Sequence, residues 1–111
     1  MITKDDFILI TGASGFIGTN LIELFEEKKY KFVNYDKADV TKLDQHKYWF
    51  EGNIMDKKRL SEAFDKFKPT IVIHLAARTD TLSDRLEDYI ENTKGTKNVV
   101  DEIKKHDYIK P

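Results

Sequence analysis

The chain has 111 residues, of which 40% are apolar, a formal net charge of −1 and no cysteine. This length supports one compact domain, whereas a complete nucleotide-dependent enzyme is usually about twice as long, so we consider a fragment from the outset. The balanced charge argues against nucleic acid as a partner, and the lack of cysteine excludes disulfides, thiolate metal sites and thiol nucleophiles.

The sequence carries no signal for a membrane or a metal. Its first residues are polar and acidic, unlike a signal peptide, and no apolar run approaches the roughly 20 residues that cross a bilayer. We therefore expect a cytoplasmic protein with no membrane partner. His46, His74 and His106 stand far apart without metal-ligand spacing, so no metal site is predicted.

The first part of the chain alternates predicted strands and helices. Phe7–Thr11 is an apolar run that predicts a buried strand, and Lys31–Tyr35 predicts a second strand ending at Asp36. No glycine follows the intervening helix, so a non-glycine residue is expected to make its last turn. The apolar residues that recur at helical spacing in that helix are Phe16, Ile17, Leu21, Leu24 and Phe25.

The middle of the chain predicts a loop, a short strand and a second helix. Residues 37–46 are polar and predict the loop, and Tyr48–Phe50 predicts the third strand. Asp56 stands where an N-cap belongs, and Pro69 ends the helix that follows it. The residues of that helix expected to face inward are Leu60, Ala63, Phe64 and Phe67.

The last part predicts a buried fourth strand, Ile71–Leu75, then a polar link from Arg78 to Asp84 and a long helix. Strands alternating with helices predict an α/β fold, a doubly wound parallel sheet with helices on both faces. The chain stops at Pro111, where the alternation requires another strand, so we expect a sheet truncated before its fifth strand. The long helix carries Leu86, Ile90, Thr93, Val99, Val100 and Ile103.

A glycine-rich loop, TGASGFIG, joins the first strand to the first helix at residues 11–18. Gly12 allows a tight turn, Gly15 lets a diphosphate approach the backbone at the helix start, and Gly18 lets the helix pack closely on the sheet. The strand before the loop, the helix after it and a downstream acid favour a dinucleotide site. The alternative is an ordinary turn with a helix–sheet contact.

The downstream acid is Asp36, at the end of the second strand. A carboxylate there accepts hydrogen bonds from both adenosine ribose hydroxyls and repels a 2′-phosphate, which favours NAD over NADP. Lys37 beside it would soften that repulsion. The alternative is an aspartate that only forms a turn at the strand end.

With these residues placed, the chain resembles the extended short-chain dehydrogenase/reductase family of NAD-dependent sugar-nucleotide epimerases and dehydratases. The fixed positions of the family's T-G-x-x-G-x-x-G loop are all present, and the resemblance extends from Phe7 to about His106. It implies a Rossmann-type fold, with residues 1–111 as the N-terminal portion of an NAD-binding domain. The cofactor-binding residues that it implies are Gly12, Gly15, Phe16, Ile17, Gly18, Asp36, Lys37, Asn53, Ile54, Leu75, Ala76, Ala77, Arg78 and Asn92.

Three further segments carry the resemblance. In residues 51–56, Asn53 stands where the family has an acid that meets the adenine amine, an amide oxygen can still accept there, and Ile54 would pack on the adenine. Residues 74–77 match H-x-A-A, in which we interpret His74 as structural rather than catalytic. Arg78 would meet a phosphate or be a solvated loop residue. Asn92, in an N-x-x-G-T segment, would face the nicotinamide side or lie on the helix surface.

The family's reaction is reversible hydride transfer at a sugar carbon, and the resemblance implies a catalytic tyrosine with a lysine four residues later. None of the five tyrosines here has a lysine at that position, so no catalytic residue is assigned. The resemblance implies a parent isomerase, lyase or oxidoreductase that acts on a nucleotide-activated sugar and forms a homodimer. Two alternatives stay open: a stand-alone nucleotide-binding regulatory module without turnover, and an NADP-linked reductase in which Lys37 and Arg78 take the 2′-phosphate.

Overall fold

The computed structural model describes residues 2–38, 43–75, 86–106 and 109, and for residues 86–93 it describes the backbone alone. Strands and helices alternate along this part of the chain, as predicted. The elements are β1 (Phe7–Thr11), α1 (Phe16–Lys28), β2 (Lys31–Asp36), a 3₁₀ helix (Leu43–Tyr48), β3 (Trp49–Glu51), α2 (Lys57–Phe67), β4 (Ile71–His74) and α3 (Leu86–Lys104).

The strands form one parallel sheet in the order β3-β2-β1-β4. Leu9 of β1 lies opposite Val33 of β2 on one side and Val72 of β4 on the other. The chain therefore runs outward from β1 to β3 and then crosses to the other side of β1. Ligands bind at such a reversal of strand order, beyond the carboxyl ends of the strands, because the flanking loops separate there.

Helices cover both faces of the sheet, as predicted, because β1 sends alternate side chains to opposite faces. On one face Ile8 and Ile10 pack with Ile22 and Phe25 of α1. On the other face Leu9 belongs to a cluster formed with α2 and α3. The remaining buried members of that second cluster are Val33, Tyr35, Ile54, Leu60, Ala63, Phe64 and Val99.

The bounds of α1 agree with the sequence, but only part of its predicted apolar stripe faces the core, namely Phe25 and, in part, Leu21. Phe16 and Ile17 are 85% and 71% exposed, whereas Gly18, Ile22 and Phe25 are buried. Gly18 lies against the backbone of Ala13, and this contact sets the rotation of the helix about its axis. The predicted non-glycine end of the helix is confirmed, since Lys29 takes the left-handed conformation at φ 60°.

The segment before β3 differs from its predicted form. A 3₁₀ helix, Leu43–Tyr48, occupies part of the predicted loop, and β3 begins one residue later than expected, at Trp49. The Tyr48 hydroxyl donates to Glu26 Oε2 at 3.0 Å, and the buried Gln45 amide donates to the Thr19 carbonyl at 3.2 Å. These contacts with α1 are distant in sequence, so a local pattern does not contain them.

The second half of the sheet follows the prediction with one correction. Asp56 caps α2 by accepting from the N–H of Arg59 at 3.1 Å, and the helix ends before Pro69. The predicted strand Ile71–Leu75 is present as Ile71–His74, but its residues are half-buried rather than buried. In the described part of the chain β4 is the last strand of the sheet on its side, which leaves it less covered than β1.

Helix α3 comes close to the segment after β3 at Gly95. A Cβ built on Gly95 would lie 2.3 Å from Ile54 Cδ1 and 2.7 Å from its Cγ1. The absence of a side chain at this position therefore allows Ile54 to reach the helix and join the core.

Replacing Gly95 with alanine tests this contact. Overpacking in Gly95→Ala should lower the free energy of unfolding by about 1–3 kcal/mol. This loss should exceed the roughly 1 kcal/mol that alanine gains over glycine in a helix, so we expect the variant to be less stable than wild type. Urea unfolding measures the change. Lys94→Ala, at an exposed neighbour on the same helix, serves as the control and should change it by less than about 0.5 kcal/mol. A Gly95→Ala protein more stable than wild type would contradict a tight contact.

His74 joins three elements through its two ring nitrogens. Nδ1 lies 2.6 Å from Thr11 Oγ1 on β1, and Nε2 lies 3.1 Å from Thr96 Oγ1 on α3. The Thr11 hydroxyl oxygen also accepts from the N–H of Leu75 at 3.1 Å. Burial lowers the pKa of His74 below its usual value, since the site disfavours the imidazolium. These bonds support the structural interpretation of His74.

The lowered pKa of His74 makes stability depend on pH. As the pH falls, the unfolded chain takes up the proton first, so the stabilisation is complete above about pH 6.5 and is lost as the pH falls through the folded pKa. Glutamine cannot titrate, so in His74→Gln we expect the unfolding free energy to change less with pH between about pH 7 and 5. The slope should fall by at most about 1.4 kcal/mol per pH unit. Urea unfolding over a pH series measures this slope, and equal slopes for both proteins would refute the expectation.

Candidate dinucleotide site

The candidate site lies at the carboxyl edge of the sheet, where the segments after all four strands meet. The glycine-rich loop follows β1, Asp36 ends β2, residues 52–56 follow β3, and Leu75 follows β4. The N–H of Leu75 donates to the Thr11 carbonyl at 2.8 Å, which ties the end of β4 to the start of the loop. Residues predicted from separate segments are thus brought to one edge.

The three glycines of the loop differ in what the fold demands of them. Gly12 has φ 75°, a left-handed conformation that favours glycine. A Cβ at Gly18 would lie 2.3 Å from the Cα of Ala13, so packing excludes a side chain there. Gly15 has φ −81° and ψ −173°, which any residue adopts, and a Cβ built on it meets no atom of the described residues within 4 Å. Neither conformation nor packing explains the glycine at position 15.

Helix α1 begins at this open glycine without a protein cap. Gly15 is its N-cap and offers no side-chain acceptor, and the first turn contains no acid. Within the described part of the chain, no group accepts from the N–H groups of Phe16 and Ile17. Helix α2, in contrast, carries the Asp56 cap. The start of α1 therefore presents N–H groups and a positive dipole end to an anion at the sheet edge.

Asp36 accepts hydrogen bonds through its carboxylate and its carbonyl. Its carboxylate accepts from the N–H of Ser14 at 2.9 Å and from the N–H of Ala38 at 3.1 Å. Its carbonyl accepts from the N–H of Gly52 at 3.0 Å and from the indole N–H of Trp49 at 2.9 Å. The bond to Ala38 forms a turn at the end of the strand, which is the alternative role considered for Asp36 in the sequence analysis. Each carboxylate oxygen keeps a lone pair, so the turn and ribose binding are compatible.

Asn34 contacts the loop and was not identified from the sequence. It is fully buried, its Oδ1 accepts from the N–H of Ala13 at 2.9 Å, and its Nδ2 donates to Ser14 Oγ at 3.1 Å. One signal for it existed. Asn34 is a polar residue within an otherwise apolar stretch of β2 and lies two residues before Asp36, which puts both on the same face of the strand.

In the segment after β3, both oxygen atoms of Asn53 accept hydrogen bonds from the protein. Asn53 Oδ1 accepts from the N–H of Met55 at 2.9 Å, and the Asn53 carbonyl accepts from the Tyr35 hydroxyl at 2.7 Å. Burial, with the nearby Asp56 carboxylate, raises the pKa of Tyr35, which keeps that hydroxyl a donor. Ile54 is 8% exposed and packs on α3, so little of its side chain is available to an adenine ring.

Several residues implied by the resemblance lie outside the described part. These are Ala76, Ala77 and Arg78, together with the side chain of Asn92. Lys37 is exposed beside Asp36. In the described ranges no three side chains form a group that could hold a metal ion, and none of the helices is both long and apolar enough to cross a membrane.

Comparison with known proteins identifies relatives of one family. Residues 8–110 match the NAD dependent epimerase/dehydratase family. The chain is 41% identical over 96 residues to dTDP-D-glucose 4,6-dehydratase of Dictyostelium discoideum, covering 71% of this chain and 22% of that protein. It is 31% identical over 102 residues to a probable dTDP-glucose 4,6-dehydratase of Sinorhizobium fredii, covering 80% of this chain and 29% of that protein.

Solved structures give the same result. The Bordetella bronchiseptica enzyme WbmG in complex with NAD superposes with a TM-score of 0.77 at 34% identity, covering 90% of this chain and 34% of that chain. UDP-glucose 4-epimerase of Thermus thermophilus in complex with NAD has a TM-score of 0.77 at 26% identity, covering 89% of this chain and 34% of that chain. These similarities and the strand order confirm the predicted Rossmann-type fold.

The match is extensive in this chain and partial in its relatives. It includes nearly every residue of this chain, from 8 to 110. The chain nevertheless spans only 22% and 29% of the two curated relatives. From the match over residues 8–110 together with the Rossmann-type sheet, we conclude that this chain belongs to the NAD-dependent epimerase/dehydratase family.

Proposed function

We propose that residues 1–111 form the N-terminal portion of an NAD-binding domain and hold the adenosine and diphosphate of NAD at the carboxyl edge of the sheet. The observation that carries this proposal is Gly15, a glycine that neither backbone conformation nor packing requires. A glycine next to free helix N–H groups is explained by a ligand that must approach the backbone closely. The alternative of a simple turn accounts for Gly12 and Gly18 but leaves Gly15 unexplained.

The residues present fit a dinucleotide. The N–H groups of Phe16 and Ile17 are available to a diphosphate, and the negative charge is favoured by the positive end of α1. The Asp36 carboxylate has acceptor capacity left for ribose hydroxyls. NAD-bound relatives of known structure, such as WbmG, support the same cofactor here.

We further propose that the parent protein is an epimerase or dehydratase acting on a nucleotide-activated sugar by reversible hydride transfer. The relatives named as dTDP-glucose 4,6-dehydratases and the UDP-glucose 4-epimerase structure support this substrate class. NAD supplies the hydride acceptor when bound. In this proposal the tyrosine–lysine pair comes from residues beyond these 111. The parent is a cytoplasmic homodimer that pairs through a helix pair containing residues 86–105.

The proposed role of Gly15 separates binding from stability. We expect Gly15→Val to weaken NAD binding by more than about tenfold, because the branched side chain fills the space that the diphosphate needs. The thermal midpoint should fall only by the small amount expected when valine replaces glycine as the N-cap, since the position is otherwise open. Isothermal titration calorimetry with NAD, paired with thermal unfolding, measures both.

A matched control places the same residue type at the opposite end of the helix. Glu27 is exposed near the end of α1, so Glu27→Val should leave NAD affinity unchanged. If Gly15→Val bound NAD like wild type, the diphosphate would lie elsewhere and the proposal would fail.

The proposed role of Asp36 predicts a preference between two cofactors. We expect wild type to bind NAD more tightly than NADP, because the carboxylate repels the 2′-phosphate. Asp36→Asn removes the charge and should reduce the difference in binding free energy between NAD and NADP by about 1–3 kcal/mol. Titration of both proteins with both dinucleotides measures it. Tighter binding of NADP by wild type would instead favour the reductase alternative, in which Lys37 and Arg78 take the phosphate.

A further inference from the structure

We propose that Asn34 is a positioning residue that divides the glycine-rich loop into a part held by β2 and a part left free for ligand. In this division Asn34 and Asp36 occupy the N–H groups of Ala13 and Ser14. The diphosphate is then met by the first-turn N–H groups of α1 and not by those two. This inference rests on the proposed function and specifies which groups perform it.

The Asn34 side chain matches the loop at both ends of its amide. Its Oδ1 accepts from the N–H of Ala13 at 2.9 Å, and its Nδ2 donates to Ser14 Oγ at 3.1 Å. The side chain is fully buried, so water does not replace either bond. Removing the amide would leave the buried N–H of Ala13 without an acceptor, and the cost of that unpaired group would displace the loop.

The contacts continue as a closed set of hydrogen bonds between two segments. Ser14 Oγ donates to the Ala38 carbonyl at 3.0 Å, and the N–H of Ala38 donates to Asp36 Oδ1 at 3.1 Å. The N–H of Ser14 donates to Asp36 Oδ2 at 2.9 Å. The loop after β1 is therefore fixed to the segment after β2 before any ligand arrives.

Beyond Ser14 the contacts within the described residues involve the Gly15 carbonyl, which accepts from Thr19, and leave the first N–H groups of the helix unpaired. Gly15 is open, and in the part of the chain that the structure describes nothing accepts from the N–H groups of Phe16 and Ile17. The change from occupied to free N–H groups falls at Gly15, where a ligand has access. Because Asn34 fixes the part of the loop that contains Ala13 and Ser14, the N–H groups of Phe16 and Ile17 are already oriented toward the ligand. Binding therefore requires no further loss of conformational entropy in the loop.

The test compares Asn34→Leu with a variant at the opposite edge of the sheet. Leucine keeps an approximate fit to the buried space and removes both hydrogen bonds. We expect it to weaken NAD binding by about tenfold or more at a temperature where the variant is folded, since the loss of a buried partner costs on this scale. Thr70→Val is the control: Thr70 accepts from the N–H of Phe7 at 3.0 Å and donates to Asp6 at 2.8 Å, at the amino edge. It should lower stability and leave NAD affinity unchanged.

Amide hydrogen exchange on the wild-type chain gives a readout that general destabilisation would not produce, and it applies even if Asn34→Leu does not fold. Without NAD, the amides of Ala13 and Ser14 should be protected and those of Phe16 and Ile17 should exchange quickly. Added NAD should protect the latter pair. In a folded Asn34→Leu protein, Ala13 should lose protection while Leu9 keeps it.

The outcomes separate the two proposals. If wild type does not bind NAD, the proposed function fails. If wild type binds NAD and Asn34→Leu binds it equally, or if the Ala13 amide becomes protected only when NAD is added, the role of Asn34 is overturned and the proposed function stands.

Discussion

The contact between Gly18 and the backbone of Ala13 is the constraint on which the candidate site depends. A Cβ at position 18 would lie 2.3 Å from Ala13 Cα, so only glycine lets α1 begin this close to the end of β1. The contact turns Ile22 and Phe25 toward the sheet and Phe16 away from it. The uncapped start of the helix consequently faces the sheet edge where the strand order reverses.

Strand β2 contributes side chains to the core and also binds the glycine-rich loop. Phe32 and Asn34 share the face that carries α1, and the side chains on this face change from apolar to polar as the strand approaches its carboxyl end. The change falls where the neighbouring loop has N–H groups that need acceptors. Asp36 continues the same column and serves both the loop and the proposed ribose contact. Loop geometry and, in our proposal, the choice of cofactor therefore depend on one strand.

The sequence predicts those parts of the fold that depend on local pattern. The apolar run of β1 and the Asp56 cap of α2 are examples, and the structure confirms both. The rotation of α1 was not predictable from spacing, because the Gly18 contact outweighs the burial of Phe16. The 3₁₀ helix was missed because it depends on contacts between Tyr48 and a residue far away in the sequence.

The candidate site divides in the same way. The motif predicts a turn at Gly12 and close packing at Gly18. The structure shows the positive φ of Gly12 and the close approach of Gly18 to the backbone of Ala13. Asn34 was missed because its partners come from another segment, 21 residues away for the Ala13 N–H. The roles of Gly15, Asp36 and Asn53 toward a cofactor stay predictions, since each is defined by a bound molecule.

The bond between Trp49 and the Asp36 carbonyl has a practical consequence. The chain contains one tryptophan, and its indole N–H donates to the backbone of the residue proposed to receive the ribose. Indole emission responds to hydrogen bonding and to nearby absorbers, and reduced nicotinamide absorbs light that indole emits. The protein thus contains its own fluorophore beside the site, and ligand occupancy can be followed optically without a label.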